Sequence, residues 1–190
     1  MRYKDENKQE AIINATVKLV NEIGFVASSV SKIAKEANVS PATIYIYYKN
    51  KEDLLVSTYI RIKQKMGEAV LINFDESMPI RDIAKNIWFS MFDFIDKNRE
   101  YFQFTEQFSY SPYSDLVDMD EVEKIFRPVI EILLKGIEQK IIKNVNHDIL
   151  VAFIFYPIMT LSNARLCSGF NKNDSNIETA FNLAWDAIKL

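Results

Sequence analysis

Apolar residues recur at three- and four-residue steps along nearly the whole chain, the period of amphipathic helices. Ala11, Ile12, Ala15, Leu19 and Ile23 mark a first helix over about 4–22, with Gly24 as its stop. A second helix covers about 30–37, and Ser29 stands where an N-cap belongs. A third begins after Ser40 with Pro41 in its first turn, where the missing N–H costs nothing. A fourth covers about 52–73, and residues 75–79 break the pattern. The spacing then predicts helices over about 79–97, 99–108, 120–143, 147–167 and 175–189. Residues 109–118, which contain Ser111-Pro112-Tyr113, read as a loop. Pro128 is expected to kink the seventh helix or to mark its true start. The expected fold class is all-α with about nine helices.

The second and third helices are spaced as a tight pair. Val30, Ile33, Ala34 and Ala37 share one face of the first member, and Ile44 and Tyr47 lie on the inner face of the second. A small residue, Ala34, stands where two helices cross closely. Asn38 follows at the turn, where a residue tolerant of positive φ is needed, and Val39 tucks the turn inward. This is the arrangement of a helix-turn-helix.

The run from Gly24-Phe25 through Ser29-Val30-Ser31-Lys32-Ile33-Ala34 to Thr43-Ile44-Tyr45-Ile46-Tyr47-Tyr48-Lys49-Asn50-Lys51-Glu52-Asp53-Leu54-Leu55 resembles the N-terminal domain of TetR-family regulators. The resemblance covers about residues 8–60 and is weaker beyond. Asn38 replaces the common turn glycine, Pro41-Ala42 a frequent Lys-Gly pair, and Ile46 a frequent polar residue or His. The last two departures change the reading surface, so they bear on operator sequence. The resemblance implies a DNA-binding domain over residues 1–50 and a helical ligand-binding and dimerisation domain over 51–190. It also implies a homodimer on palindromic double-stranded DNA, and a repressor released by a small hydrophobic or amphipathic effector. An activator, or a helical DNA-binding protein without an effector, is the alternative.

In such a motif the second helix enters the major groove with its N-terminal residues toward base edges. Ile44, Tyr47 and Tyr48 are expected to point inward, leaving Ala42, Thr43, Tyr45 and Ile46 outside. Thr43 can bond a base edge, and Ala42 and Ile46 can meet thymine methyls. No Arg lies on this helix, so apolar readout outweighs guanine pairing. Ser29, Tyr45, Lys49 and Lys51 are the expected phosphate contacts. The resemblance adds Tyr47 to them, although the packing argument turns it inward.

Ten aromatics fall in the 26 residues from Trp88 to Tyr113. They read either as a bulky core or as the lining of a ligand pocket. The resemblance implies a pocket among helices four to eight. Its candidate lining is Trp88, Phe92, Tyr101, Phe104, Phe108, Tyr110, Tyr113, Phe126 and Tyr156. The eighth helix is apolar almost all round and must be buried on both faces. The resemblance implies that it forms, with the ninth, a four-helix dimer interface through Ile154, Ile158, Leu161, Phe181 and Trp185.

Charge refines this picture. The chain carries a net −3, but residues 1–65 hold 11 Lys+Arg against 7 Asp+Glu, and the remainder 12 against 19. A basic N-terminal third on an acidic body suits a DNA-binding module on a sensing body. The composition, 48% hydrophobic and 26% charged, is that of an ordinary globular chain. No secretory signal and no membrane span are read, so a cytoplasmic location is expected. The single cysteine, Cys167, has no internal partner, in keeping with a reducing compartment. The lone histidine, His147, stands at a helix start. No metal cluster, glycine-rich phosphate loop or nucleophile motif is present, so neither an enzyme nor a cofactor or metal is expected.

Overall fold

The computed structural model describes residues 5–72 and 74–190. Lys4 and Asn73, the expected outer limits of the first and fourth helices, lie outside the described residues. The described chain is helical, with no β-strand beyond one isolated bridge between Ile142 and Lys189. Its compact units are discontinuous in sequence: Met1–Gln64 with Asn98–Val122, and Lys65–Lys97 with Glu123–Leu190.

In the first unit, α1 (Glu6–Ala27) is capped by Asp5, whose carboxylate accepts from the Asn7 and Lys8 backbone N–H groups. The regular helix stops at Gly24 as expected, where φ is 77° and ψ 168°, and after this kink a short helical turn continues to Ala27. Only glycine adopts that pair without strain. Two short helices follow, α2 (Val30–Glu36), capped by Ser29, and α3 (Pro41–Tyr47), capped by Ser40. Between them Asn38 holds φ at 53°, as the turn requires. The long α4 (Lys51–Leu71) starts in this unit. Asn50 accepts from the Asp53 N–H at 2.8 Å, while the Asp53 carboxylate accepts from the Lys49 N–H at 2.7 Å. This reciprocal capping fixes the turn from α3 into α4.

Two cores hold this unit. Ile12, Ala15, Ile33, Ala34, Ile44, Tyr48 and Leu54 pack α1 to α4 together around the short helices. Val17, Val20, Leu55 and Ile62 pack against Phe104 and Phe108 of α6 (Arg99–Ser109). The sixth helix therefore shares a unit with the helix-turn-helix. The loop expected over 109–118 contains a 3-10 turn, Ser114–Leu116.

The second unit contains α5 (Ile80–Lys97), most of α7 (Met119–Glu138), α8 (His147–Ile154), α9 (Tyr156–Ser162) and α10 (Asp174–Ile188). The expected bounds of the seventh and eighth helices are corrected here. α7 runs through Pro128 as one helix and stops at Glu138, not near 143. Lys140 adopts φ 56°, and the Gly136 carbonyl accepts from the Ile141 and Ile142 N–H groups, so the chain turns back. The expected eighth helix is split at Phe155 into α8 and α9, because Pro157 in the first turn of α9 cannot continue the ladder. It also ends at Ser162 and not at Cys167. No described helix is long and apolar enough to cross a membrane.

Candidate functional site

The exposed surface of α3 is built by its packing. Ile44 and Tyr48 are spent in the core, which fixes the rotation of the helix. Ala42 is then exposed, Tyr45 keeps 56% and Ile46 44% of its surface, and Thr43 is half-buried. Thr43 Oγ1 lies 2.9 Å from Ser40 Oγ, which also caps the helix through the Thr43 N–H. Ser29 is exposed while capping α2, and Lys49 is exposed at the end of the motif. Ala42, Tyr45, Ile46, Ser29 and Lys49 thus present themselves together from one unit.

Two of the expected phosphate contacts also make hydrogen bonds within the unit. The Lys51 ammonium donates to Phe25 O at 2.6 Å and to Val26 O at 3.4 Å. It caps the C-terminal carbonyls of α1, where a cation is favoured. Tyr47 packs inward, as its spacing requires. Its hydroxyl accepts from the Asp5 N–H at 2.9 Å and donates to Asp5 O at 3.2 Å.

The candidate pocket aromatics fall in both units. Phe104 and Phe108 are fully buried in the first unit. Phe25 sits against them at 5.9 and 6.1 Å and against Tyr113 at 5.5 Å, and Tyr59 stacks on Phe108 at 4.5 Å. Tyr101 is half-buried and donates its hydroxyl to Asn14 at 2.7 Å. Tyr110 is 93% exposed. Trp88 and Phe92 are buried in the second unit, where Trp88 meets Phe181 edge-on at 5.7 Å. Phe126 is half-buried and Tyr156 is exposed. Phe25, which the spacing does not single out, is the ring at the centre of this cluster. The adjacent Gly24 marks the backbone turn that places it. The second unit also has a partly open recess of about 10 Å³ between Val70, Met78, Ile83 and Ile87 and the polar Asp75, Asn86 and Ser90, room for a single water.

Most of the expected dimer residues also pack within the chain itself. Ile154, Ile158, Phe181 and Trp185 are already buried within one chain, and Leu161 is half-buried. An apolar helix must bury both faces, and periodicity could not say which face the chain itself covers. The large side chains left exposed are Ile149 and Phe153 on α8, Tyr156 on α9 and Leu183 on α10.

A capped two-helix unit with its inner face locked and its outer face open is the geometry of a helix-turn-helix DNA-binding regulator. Residues 12–58 match the bacterial regulatory proteins of the tetR family, and residues 79–189 match the tetracyclin repressor-like C-terminal domain. The chain belongs to the TetR family of DNA-binding transcriptional regulators. A TetR-family transcription regulator from Marinobacter aquaeolei VT8 is 34% identical over 100% of this chain and 99% of its own, with a TM-score of 0.89. The fatty acid metabolism regulator protein of Bacillus subtilis is 49% identical over 63 residues, 33% of this chain and only 31% of that protein. The Bacillus subtilis regulator FadR, solved in complex with stearoyl-CoA, shares the fold at a TM-score of 0.76 and 24% identity, over 94% of this chain and 98% of its own.

Proposed function

We propose that the chain is a homodimeric repressor in the cytoplasm, released from a palindromic operator by a small amphipathic effector. The observation that carries the proposal is the open face of α3. Ala42, Tyr45 and Ile46 are held outward by the burial of Ile44 and Tyr48, and Thr43 stands at the edge of that face. Ala42 and Ile46 read thymine methyls, Thr43 reads a base edge, and Ser29, Tyr45 and Lys49 hold phosphates. Lys51 and Tyr47 support the motif without touching DNA.

Ile149, Phe153, Tyr156 and Leu183 form the partner-facing surface of the dimer. Two-fold symmetry then sets the reading helices roughly 34–36 Å apart. The stearoyl-CoA bound by FadR supports an effector with a long apolar body. Phe25 supplies the link to DNA within the first unit. It touches Phe104, Phe108 and Tyr113 on one side and lies four residues before the Ser29 cap of α2 on the other. An effector that displaces α6 therefore displaces the start of the reading motif, and effector and operator binding are coupled reciprocally.

The test is fluorescence anisotropy on a palindrome from the chain's own upstream region. Tyr45→Ala and Lys49→Ala weaken binding on every sequence, whereas Ile46→Ala changes which bases are preferred. Medium- and long-chain acyl compounds release the wild type. Operator affinity that stays constant across saturating effectors would sink the switch.

A further inference from the structure

Two hydroxyls meet at the start of α3: Ser40 Oγ lies 2.9 Å from Thr43 Oγ1. The Thr43 N–H donates to Ser40 Oγ at 3.1 Å and to the Ser40 carbonyl at 2.9 Å, so the same turn holds both side chains. Two hydroxyls carry two donors and four lone pairs. Their mutual hydrogen bond uses one donor and one lone pair, and the Thr43 N–H takes a second lone pair, on Ser40. When Thr43 donates, Ser40 Oγ is filled as an acceptor and keeps its own O–H, while Thr43 Oγ1 keeps two lone pairs. When Ser40 donates, the free O–H is on Thr43 and a lone pair remains on Ser40. In both arrangements the pair offers one donor and, on the neighbouring oxygen, one acceptor. Ser40 is exposed, and Thr43 stands half-buried at the edge of the open face. From Pro41 to Tyr47, α3 contains no Asn, Gln, Arg or Lys, so no single side chain of the helix can contact a purine through two hydrogen bonds.

We propose that Ser40 and Thr43 read DNA as one unit and that the base they select is adenine. In the major groove adenine presents the N7 acceptor beside the N6–H donor, the complement of one donor beside one acceptor. Guanine presents two acceptors, N7 and O6, and the pair has one donor left. The two hydroxyls thus take the place of the Asn or Gln carboxamide that pairs with adenine. The proposal rests on the reading of Thr43 as a base contact, adds Ser40 to it and names the base. With Ala42 and Ile46 on thymine methyls, it makes the half-site A·T-rich.

The test selects a duplex with the full chain from a pool whose central segment is randomised, then measures anisotropy on single-base replacements of the selected site. The wild type is expected to show an adenine in each half-site at which guanine costs at least about fivefold. Purine, which lacks the N6 amino group, and 7-deazaadenine, which lacks N7, should each incur part of that loss. Ser40→Gly removes the hydroxyl and keeps a residue accepted at helix N-caps. It is expected to cut the loss at that adenine to under twofold and to leave the preferences at other positions as in the wild type. Ser40→Thr, which restores a hydroxyl, should retain the discrimination. An adenine preference that is the same in Ser40→Gly as in the wild type overturns the pair, as does a wild type that tolerates guanine at every adenine of its site. If Thr43→Val relaxes a position that Ser40→Gly does not, the pair is overturned and Thr43 stands as a base contact alone. If Thr43→Val relaxes no position, the reading of Thr43 falls with it.

Discussion

Asn38 holds φ at 53°, a conformation that costs an ordinary L-residue about 1–2 kcal/mol and that asparagine tolerates. Asn38→Gly is therefore expected to leave the melting temperature within a degree or two, whereas Asn38→Val lowers stability by about 1–2 kcal/mol in chemical denaturation. Lys63 carries a second residue-scale prediction. Burial desolvates its ammonium and puts its folded pKa at about 8, below the ordinary 10.5, so the fold disfavours the protonated form. The cost is fully present below pH 8 and is relieved as the pH rises toward 10.5, because there the unfolded chain holds the proton and the native chain does not. Lys63→Met should melt a few degrees above the wild type at pH 7, on the order of 1–2 kcal/mol after allowing for the exposed part of the side chain. The gap should narrow between pH 8 and 10. A variant that melts below the wild type at pH 7 would contradict the desolvation argument.

At the scale of elements, the end of α1 is the joint. Gly24 turns the chain, Phe25 enters the aromatic cluster of α6, and Lys51 from the start of α4 caps the Phe25 carbonyl. The two basic residues after α3 therefore differ in role, although the sequence makes them look alike. Lys51→Met should cost about 1.5–3 kcal/mol of stability, the worth of hydrogen bonds from a charged donor. It should leave the salt dependence of operator binding unchanged. Lys49→Met should do the reverse, reducing the slope of log affinity against log salt by about 0.9 for each lysine lost from the complex. Operator titrations between 50 and 200 mM salt, conditions of the order used for such slopes, separate the two. Lys49 and Lys51 were legible as a basic pair, but not as two roles. The carbonyls that Lys51 caps lie 25 and 26 residues away and meet it only after the Gly24 kink.

At the scale of the whole molecule, the proposed dimer is tested on the surface left apolar. Phe153 is 56% and Leu183 is 70% exposed on α8 and α10, helices that pack on each other. Phe153→Asp or Leu183→Asp should preserve helicity, since neither side chain is in the core. Either should convert a dimer to a monomer in sedimentation and weaken operator binding by more than tenfold. Phe181→Asp, by contrast, should unfold the second unit, because that ring is fully buried against Trp88 and Trp185. The sequence by itself determined most of the helices, the starts of α2 and α3 at Ser29 and Ser40, the Asn38 turn and the inward set of Ile44 and Tyr48, because these depend on neighbours within a few residues. Only the tertiary structure decided which face of the apolar α8–α9 segment the chain covers, and that α6 joins the unit of the helix-turn-helix. It also decided which lysine is exposed, which caps α1 and which is desolvated. Each of these depends on a partner far away in sequence, and periodicity records that a face is buried without recording what buries it.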